Sequence, residues 1–512
     1  MPYAQRPPGR RPRRGTTTAV LAAALVLAML VLAGCSKSWS RRQKTSASAL
    51  WLGSSSAELT TSNLARLKDA GVEEAYLPVA RLEPGGGDGP LSALELPSSL
   101  PEMPINLAIQ GRWSIESEER AQGLAKRVAR ALRQTRFDIE SQGGLVVGIH
   151  VDITKLDDFK TYTVFLKELR KALEDDVFLS ATVQRTWLDK DETPALAQAV
   201  DYVVAFVYGQ RINEKETGDA WDFTELERYL QTLEGFGTPY QIGVVTLGTA
   251  THLSPKGGVK ARITRTSLQE ILWNRSLKLR PGFTLEGVNR RVYAVVAERT
   301  TSLGDWRIAP GDQVRVVRAA TSDLEEMLRL VDVWDLPNHL GQVYYRLPNA
   351  EEMLSIHSDS LLNALAAESA QPDLTFEVSV QRRTGRGWLV RFGIQNQNRE
   401  FTELALLDNN YIQVTAANDG VFSTNDVDTG EFYRYDLYRP GPGGEPERTF
   451  RRPSILRLYV PLLEGQQRVA SDDIEVVVRG EPVFDIQAKF LLTDGRTLEI
   501  PSQRWRGGER QP

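Results

Sequence analysis

Leu145-Val146-Val147-Gly148-Ile149-His150-Val151-Asp152-Ile153 is an apolar run interrupted by only two polar side chains. Its length and its Val and Ile content suit a strand covered on both faces, as in a parallel sheet. Gly148, His150 and Asp152 share one parity, and Val147, Ile149 and Val151 hold the other. Alternate side chains of a strand go to opposite faces, so the two polar groups point the same way. Burying them unpaired is costly, which makes this face the first place to look for chemistry.

Outward from this run the same alternation of short and long segments continues. Residues 156–174 place Phe159, Tyr162, Phe165, Leu166, Leu169 and Leu173 three or four apart, one buried stripe of a helix. Further strands are predicted at 75–82, 105–111, 178–187, 202–209, 240–247, 291–298 and 341–347, which with 145–153 makes eight. Helical stretches at 116–133, 193–200, 223–233, 267–275 and 322–330 fall between them. Eight strands alternating with helices between residues 74 and 348 predict an α/β fold, a closed TIM-like (β/α)8 barrel. An open doubly wound sheet would show a glycine-rich first turn leading into a helix. Gly85-Gly86-Gly87-Asp88-Gly89 has no helix start beside it and reads as a loop.

Near residue 370 the period changes to two, in runs at 374–381, 388–396, 412–416, 432–437, 455–460, 474–478, 484–491 and 497–500. No long helical segment interrupts them, and the pattern predicts a β-sandwich. The expected organisation is a signal peptide over 1–34, a lipidated tether over 35–56, a barrel over 57–365, a sandwich over 370–503 and a flexible tail over 504–512.

The N-terminus predicts export. Arg6, Arg10, Arg11, Arg13 and Arg14 precede an uncharged run from residue 19 to 33, a basic region followed by an apolar one. That run is shorter than the ~20 residues a membrane-crossing helix needs. It ends in Leu32-Ala33-Gly34-Cys35, which looks like the bacterial lipobox, and Cys35 is the only cysteine in 512 residues. The expectation is a lipidated, palmitate-bearing Cys35 that anchors the chain to a membrane. Ser36 stands where an inner-membrane retention signal would place Asp, so the expected location is the outer membrane facing the periplasm, with the cell surface as the other option. An uncleaved anchor is the alternative, and it too leaves the rest of the chain outside the cytoplasm.

Composition removes several classes of function. One Cys excludes a disulfide framework and any multi-thiolate site, and four His (150, 252, 339 and 357) supply a metal centre poorly. No metal and no cofactor is expected. Removal of the first 34 residues takes five Arg and no acid, leaving 57 Lys+Arg against 66 Asp+Glu, a formal charge of −9. Nucleic acid is therefore not an expected partner. The serine-hydrolase elbow, the zincin motif, the phosphate loop and the dinucleotide fingerprint are all absent.

Barrel sites lie at the C-terminal ends of strands, and the candidates are the residues found there. Asp152, at the end of the third predicted strand, is a candidate catalytic carboxylate with His150 beneath it as a hydrogen-bonded support. Glu298 closes the seventh predicted strand and Arg346 the eighth. Asp152 and Glu298 could form a glycosidase pair, retaining if ~5–5.5 Å apart and inverting at ~6.5–9.5 Å. Trp113, Trp187 and Tyr208 could stack on sugar rings, with Arg81, Gln110, Arg112, Gln184, Gln210 and His252 supplying hydrogen bonds. The competing reading of each is a satisfied core or solvated residue. A metal-dependent hydrolase would instead need several of His150, Asp152, His252 and Glu298 to converge.

The runs Tyr76-Leu-Pro-Val-Ala-Arg81-Leu82, Gly148-Ile-His-Val-Asp152, Phe165-Leu-Lys-Glu-Leu-Arg170, Leu179-Ser-Ala-Thr-Val-Gln184 and Trp187-Leu188 resemble a family of bacterial lipoproteins. Its members carry a domain of unknown function that looks like a glycoside hydrolase barrel. The resemblance covers residues 74 to 348, and it implies that the acid of Gly148-x-x-x-Asp152 faces a sugar site. The chitinase-like pattern of alternating acids ending in Glu is broken, because Ile153 and Thr154 follow Asp152. Two functions are therefore expected. One is an envelope glycoside hydrolase working through carboxylate acid and base; the other is a non-catalytic lipoprotein that binds carbohydrate or a protein partner.

Overall fold

The structure is a computed structural model of the chain. It describes residues 44, 47–53, 61–82, 91–94, 96, 100–207, 212–213, 216–217, 223–263, 265–280, 292–334, 336–347, 352–366, 371–383, 387–403, 409–424 and 427–506. The predicted signal peptide, Cys35, Tyr208 and Gln210 lie outside the described residues. Among the described residues no helix is long and apolar enough to cross a membrane.

Eight parallel strands close into a ring. They are β1 (Ser48–Trp51), β2 (Val72–Leu82), β3 (Pro104–Trp113), β4 (Leu145–Leu156), β5 (Phe178–Gln184), β6 (Tyr202–Phe206), β7 (Tyr240–Val245) and β8 (His339–Tyr345). Each pairs with the next, and β8 returns to pair with β1 through Ala49 with Val343 and Leu50 with Tyr344. Helices α1 (Thr61–Asp69), α2 (Glu118–Ser141), α3 (Phe159–Ala172), α4 (Thr193–Ala197), α5 (Phe223–Gly235), α6 (Thr321–Val333) and α7 (Ser358–Leu365) lie along the chain between and after them. Between β2 and β3 a short strand, Leu91–Ala93, pairs antiparallel with β2 instead.

Local chemistry sets these boundaries. Ser117 caps α2 by accepting the Arg120 amide at 3.5 Å, and Asp158 caps α3 by accepting the Thr161 amide at 3.1 Å. The stripe of α3 is buried as its spacing predicts, with Tyr162, Phe165, Leu166 and Leu169 shut away from solvent against the outer face of the strands.

Two expectations need correction. The ring begins inside the stretch assigned to the tether, because Ala49, Leu50 and Trp51 are fully buried between β2 and β8. The 291–298 segment is not a barrel strand. Val292–Ala297 instead runs antiparallel to Gln313–Val317 and Leu277–Leu279. Asp152 therefore sits on the fourth strand of the ring, and the strand at 240–245 is the seventh.

The displaced segment belongs to an insert between β7 and α6. Its five-stranded antiparallel sheet runs in the order Val259–Ile263, Thr249–Leu253, Gln313–Val317, Val292–Ala297, Leu277–Leu279. A short helix, Leu268–Trp273, and a hairpin, Thr301–Leu303 with Trp306–Ile308, complete it. Ile263, Leu268, Ile271, Tyr293, Val295 and Val316 form its own core, into which Leu354 and Leu462 also reach.

The C-terminal part is a sandwich of antiparallel sheets. One is built on Leu374–Arg382, Gly387–Asn396 and Ile474–Val477, the other on Tyr411–Ala416, Arg434–Pro440, Ile455–Tyr459, Val483–Leu491 and Thr497–Arg506. Phe392, Ile394 and Val476 of the first sheet share one core with Ile412, Leu456 and Phe484 of the second. The last strand carries pairing out to Arg506, past the predicted end at 503.

Candidate ligand site at the barrel mouth

Register decides which side chains meet inside the ring. Arg81 pairs with Gln110, and Gln110 with Asp152, so the three stand level on β2, β3 and β4. One layer down, Ala108 pairs with His150 and His150 with Ser180; below that, Asn106 pairs with Gly148. A Cβ at residue 148 would lie 2.2 Å from the Asn106 Oδ1, so this layer has room only for glycine. The inward parity of His150 and Asp152 is as the sequence predicts.

His150 and Asp152 belong to one hydrogen-bonded line. Thr182 Oγ1 donates to Asp152 Oδ1 at 2.8 Å, and Gln110 Nε2 donates to Oδ2 at 3.2 Å. The single Thr182 hydroxyl proton is then spent, so at 3.0 Å the Thr182 oxygen accepts from His150 Nε2–H. His150 Nδ1 is left as an acceptor, matched by the Ser180 hydroxyl at 2.9 Å. Full burial favours this neutral ring and pushes the imidazole down to about 3. The line Ser180, His150, Thr182, Asp152 is an oriented row of donors that ends on the carboxylate.

Aromatic rings fill the axis below. Trp51 stacks on Tyr76 at 5.3 Å and meets His150, Tyr345 and Phe206 edge-on at 5.3, 5.1 and 6.4 Å. Deeper still, Tyr76 donates to Gln241 at 2.6 Å and lies 3.0 Å from the Tyr202 hydroxyl. The ring is thus a packed core, and only its mouth can take a ligand. Asp152 is 4% exposed there. Burial raises its carboxyl above the usual carboxylate range, while the bonds from Thr182 and Gln110 hold it down. The Tyr345 phenol, in reach of Gln110, is pushed up to about 12 by burial first and by the Asp152 charge second.

Other predicted residues fall in several places. Arg81 and Arg112 are exposed near the rim. Arg346 follows β8 and pairs with Glu352, its Nη1 lying close above Gly53 at the end of β1. Gln184 is occupied, its amide donating to the carbonyls of Ile153 and Thr154 at 3.3 and 3.0 Å. Thr154 itself donates to the Gly111 carbonyl at 3.1 Å.

Four candidates are corrected. Glu298 is exposed beside the insert sheet and pairs with Lys278 at 3.4 Å, so it closes no barrel strand and is not the carboxylate partner of Asp152. His252 is buried in that sheet, 2.7 Å from Asp312, whose other oxygen takes Lys260 at 2.7 Å. Trp113 packs outward, its Nε1 donating to Thr161 at 3.0 Å and its ring against Tyr162 and Phe165. Trp187 packs edge-on against Phe159 at 5.7 Å. Both tryptophans face the helical layer and are closed to a sugar. Among the described residues no group of three or more His, Cys, Asp or Glu could hold a metal ion.

Sequence reading missed Thr182, Ser180 and Tyr345. Ser180 and Thr182 are two apart on β5, as His150 and Asp152 are on β4, and this was the available signal; Tyr345, on β8, carried none.

No family model matches the chain, and no curated protein does. Similar solved structures include a chitinase from Chromobacterium violaceum ATCC 12472, 13% identical over 64% of this chain and 100% of that one, with a TM-score of 0.42. The Bacillus cereus spore cortex-lytic enzyme SleL is 15% identical over 64% and 75%, with a TM-score of 0.40. A chitinase from Bacteroides thetaiotaomicron is 10% identical over 64% and 96%, with a TM-score of 0.39.

Proposed function

We propose that the protein is an exported, lipid-anchored envelope protein whose barrel mouth binds a carbohydrate without cutting it. The observation that carries this reading is that, among the described residues, no second carboxylate stands level with Asp152. Two-carboxylate hydrolysis needs an acid and a base on opposite sides of the scissile bond. The residues level with Asp152 are Arg81 and Gln110, and Thr182 and Tyr345 approach it from β5 and β8; none is an acid. Glu298 stands in the insert.

What this mouth offers is recognition chemistry. Arg81, Gln110 and the Tyr345 phenol supply directional donors beside a carboxylate acceptor, and the rings of Tyr345 and Phe206, 5.3 Å apart, give the apolar floor on which a sugar face rests. The hydroxyl and imidazole line holds the carboxylate in one orientation, which reduces the ordering cost of binding. The anchor part of the proposal rests on Leu32-Ala33-Gly34-Cys35 and the basic and apolar stretches before it.

A glycan array followed by calorimetry on the chain starting at residue 36 tests the reading. Asp152→Asn should weaken binding about tenfold or more, the worth of a charged hydrogen bond. Neither form should release product from the bound glycan. Failure to retain any glycan would refute the proposal. Product release that disappears in a folded Asp152→Asn protein would replace it with a hydrolase in which Asp152, its acidity already lowered by burial, is the proton donor.

A further inference from the structure

A second, small cleft lies away from the barrel axis, with about 20 Å³ of room for a water-sized group between walls that include Arg318, Glu352, His357, Arg399, Phe401 and Glu464. Arg318 leaves the last strand of the insert, Glu352 and His357 follow β8, and Arg399, Phe401 and Glu464 belong to loops of the sandwich. The site exists only where the three parts of the fold meet.

Arg318 is its unusual member. The residue is 1% exposed, and its guanidinium carbon lies 3.4 Å from the centre of the Phe401 ring. The ring attracts the charge through the face of the guanidinium, whereas the N–H groups radiate in its plane. Among the described residues, its buried Nε and Nη1 find no hydrogen-bond partner. A buried cation with unmet donors is costly unless an acceptor completes it.

The carboxylates on the walls are already committed. Glu464 accepts the amides of Leu268 and Gln269 at 2.9 and 3.3 Å, and its effect on Arg318 is through-space attraction only. Glu352 is held by Arg346. Arg399 brings a second positive charge to the same walls. Burial first, and that charge second, keep His357 neutral. Its Nδ1 accepts the Asp359 amide at 3.4 Å, which places the ring proton on Nε2 and makes it a donor.

From this arrangement we propose that the cleft is an oxyanion-binding site, in which the Arg318 fork and Arg399 receive a carboxylate or phosphate group. The planar fork matches two oxygens of either anion, and Phe401 fixes its plane. The proposal does not depend on what the barrel mouth binds.

Full-length protein in detergent, titrated at constant ionic strength with inorganic phosphate and separately with D-glucuronate, provides the test. Calorimetry should show one saturable site, and thermal unfolding should shift upward with anion concentration. Saturation by phosphate alone identifies a phosphate ligand, and by glucuronate alone a carboxylate. Arg399→Gln and Arg318→Lys, which keeps the charge but loses the fork, should each bind about tenfold more weakly. If Arg318→Lys does not fold, the half-buried Arg399→Gln decides. No saturable binding of either anion, or wild-type affinity in a folded variant, overturns the proposal.

Discussion

His150 shows how one side chain can report on the whole barrel. Its ring is fully buried, bonded at both nitrogens to hydroxyls and flanked by Trp51 and Tyr76. The folded protein therefore holds it neutral down to about pH 3, while the unfolded chain protonates it near 6.5. Between those values the unfolded state binds the extra proton, so stability present at pH 7 is lost as the pH falls. Over the whole window the loss is roughly 5 kcal/mol, at ~1.4 kcal/mol per pH unit. Asp152 works in the other direction. Its raised folded value means that the native state binds the proton more tightly, so its share of stability falls as the pH rises above 3.8. His150→Gln should be less stable than the parent at pH 7, through lost ring packing, and the gap should narrow as the pH drops from 6.5 toward 3. Thermal unfolding of both proteins across that range measures it, and a gap that ignores pH would show that His150 is not buried neutral.

At the scale of the element, the ring depends on two features that composition hides. Gly148 is one: with Asn106 Oδ1 2.2 Å from any Cβ, Gly148→Ala must force β3 and β4 apart or displace the Asn106 amide. A loss of about 1–3 kcal/mol is expected, seen as a lower denaturant midpoint with an unchanged slope. The other is β1. The Ala47 amide bonds the Leu340 carbonyl at 2.7 Å, Gln241 donates to the Ala47 carbonyl at 2.8 Å, and Trp51 fills the axis. A chain starting at residue 44 should fold, whereas one starting at residue 54 should give no cooperative transition in circular dichroism. Loss of Trp51 alone costs ~3–5 kcal/mol, much of the ~5–15 kcal/mol a native protein has. The same two strands explain what the sequence did and did not disclose. Seven of the eight ring strands were readable because burial on both faces leaves an apolar run. β1 has only four residues beside a Ser-rich stretch, too few for a pattern. Val292–Ala297 has the same apolar composition because the insert core covers it, and an isolated run does not reveal parallel or antiparallel pairing. In the site, parity found His150 and Asp152. The faces of Trp113 and Trp187 were misread because a position near a strand end does not say whether the side chain turns toward the axis or the helices.

For the whole molecule, the barrel, insert and sandwich are tied by buried carboxylates rather than by a flexible hinge. Tyr293 donates to Glu403 at 2.5 Å, Thr321 to Glu400 at 3.3 Å, and Glu464 caps the insert helix. Breaking any of these would take a donor from a buried acid, so the sandwich is held as part of one body with the insert. Among the described residues no helix is long and apolar enough to cross a membrane, so the attachment proposed above is assigned to the segment before β1. A lipidated Cys35 would supply it: each buried methylene is worth about 0.8 kcal/mol, and more than one acyl chain makes release negligible. Cys35→Ser should therefore move the protein from the detergent phase to the aqueous phase on Triton X-114 partitioning, with the parent remaining in detergent. If the variant stays in detergent, and its mass shows residues 1–34 still attached, the apolar stretch at 19–33 is itself the anchor and lipid is not required. The fold of the described residues from 48 onward would be the same in either case, because β1 draws its partners from β2 and β8 and not from the bilayer.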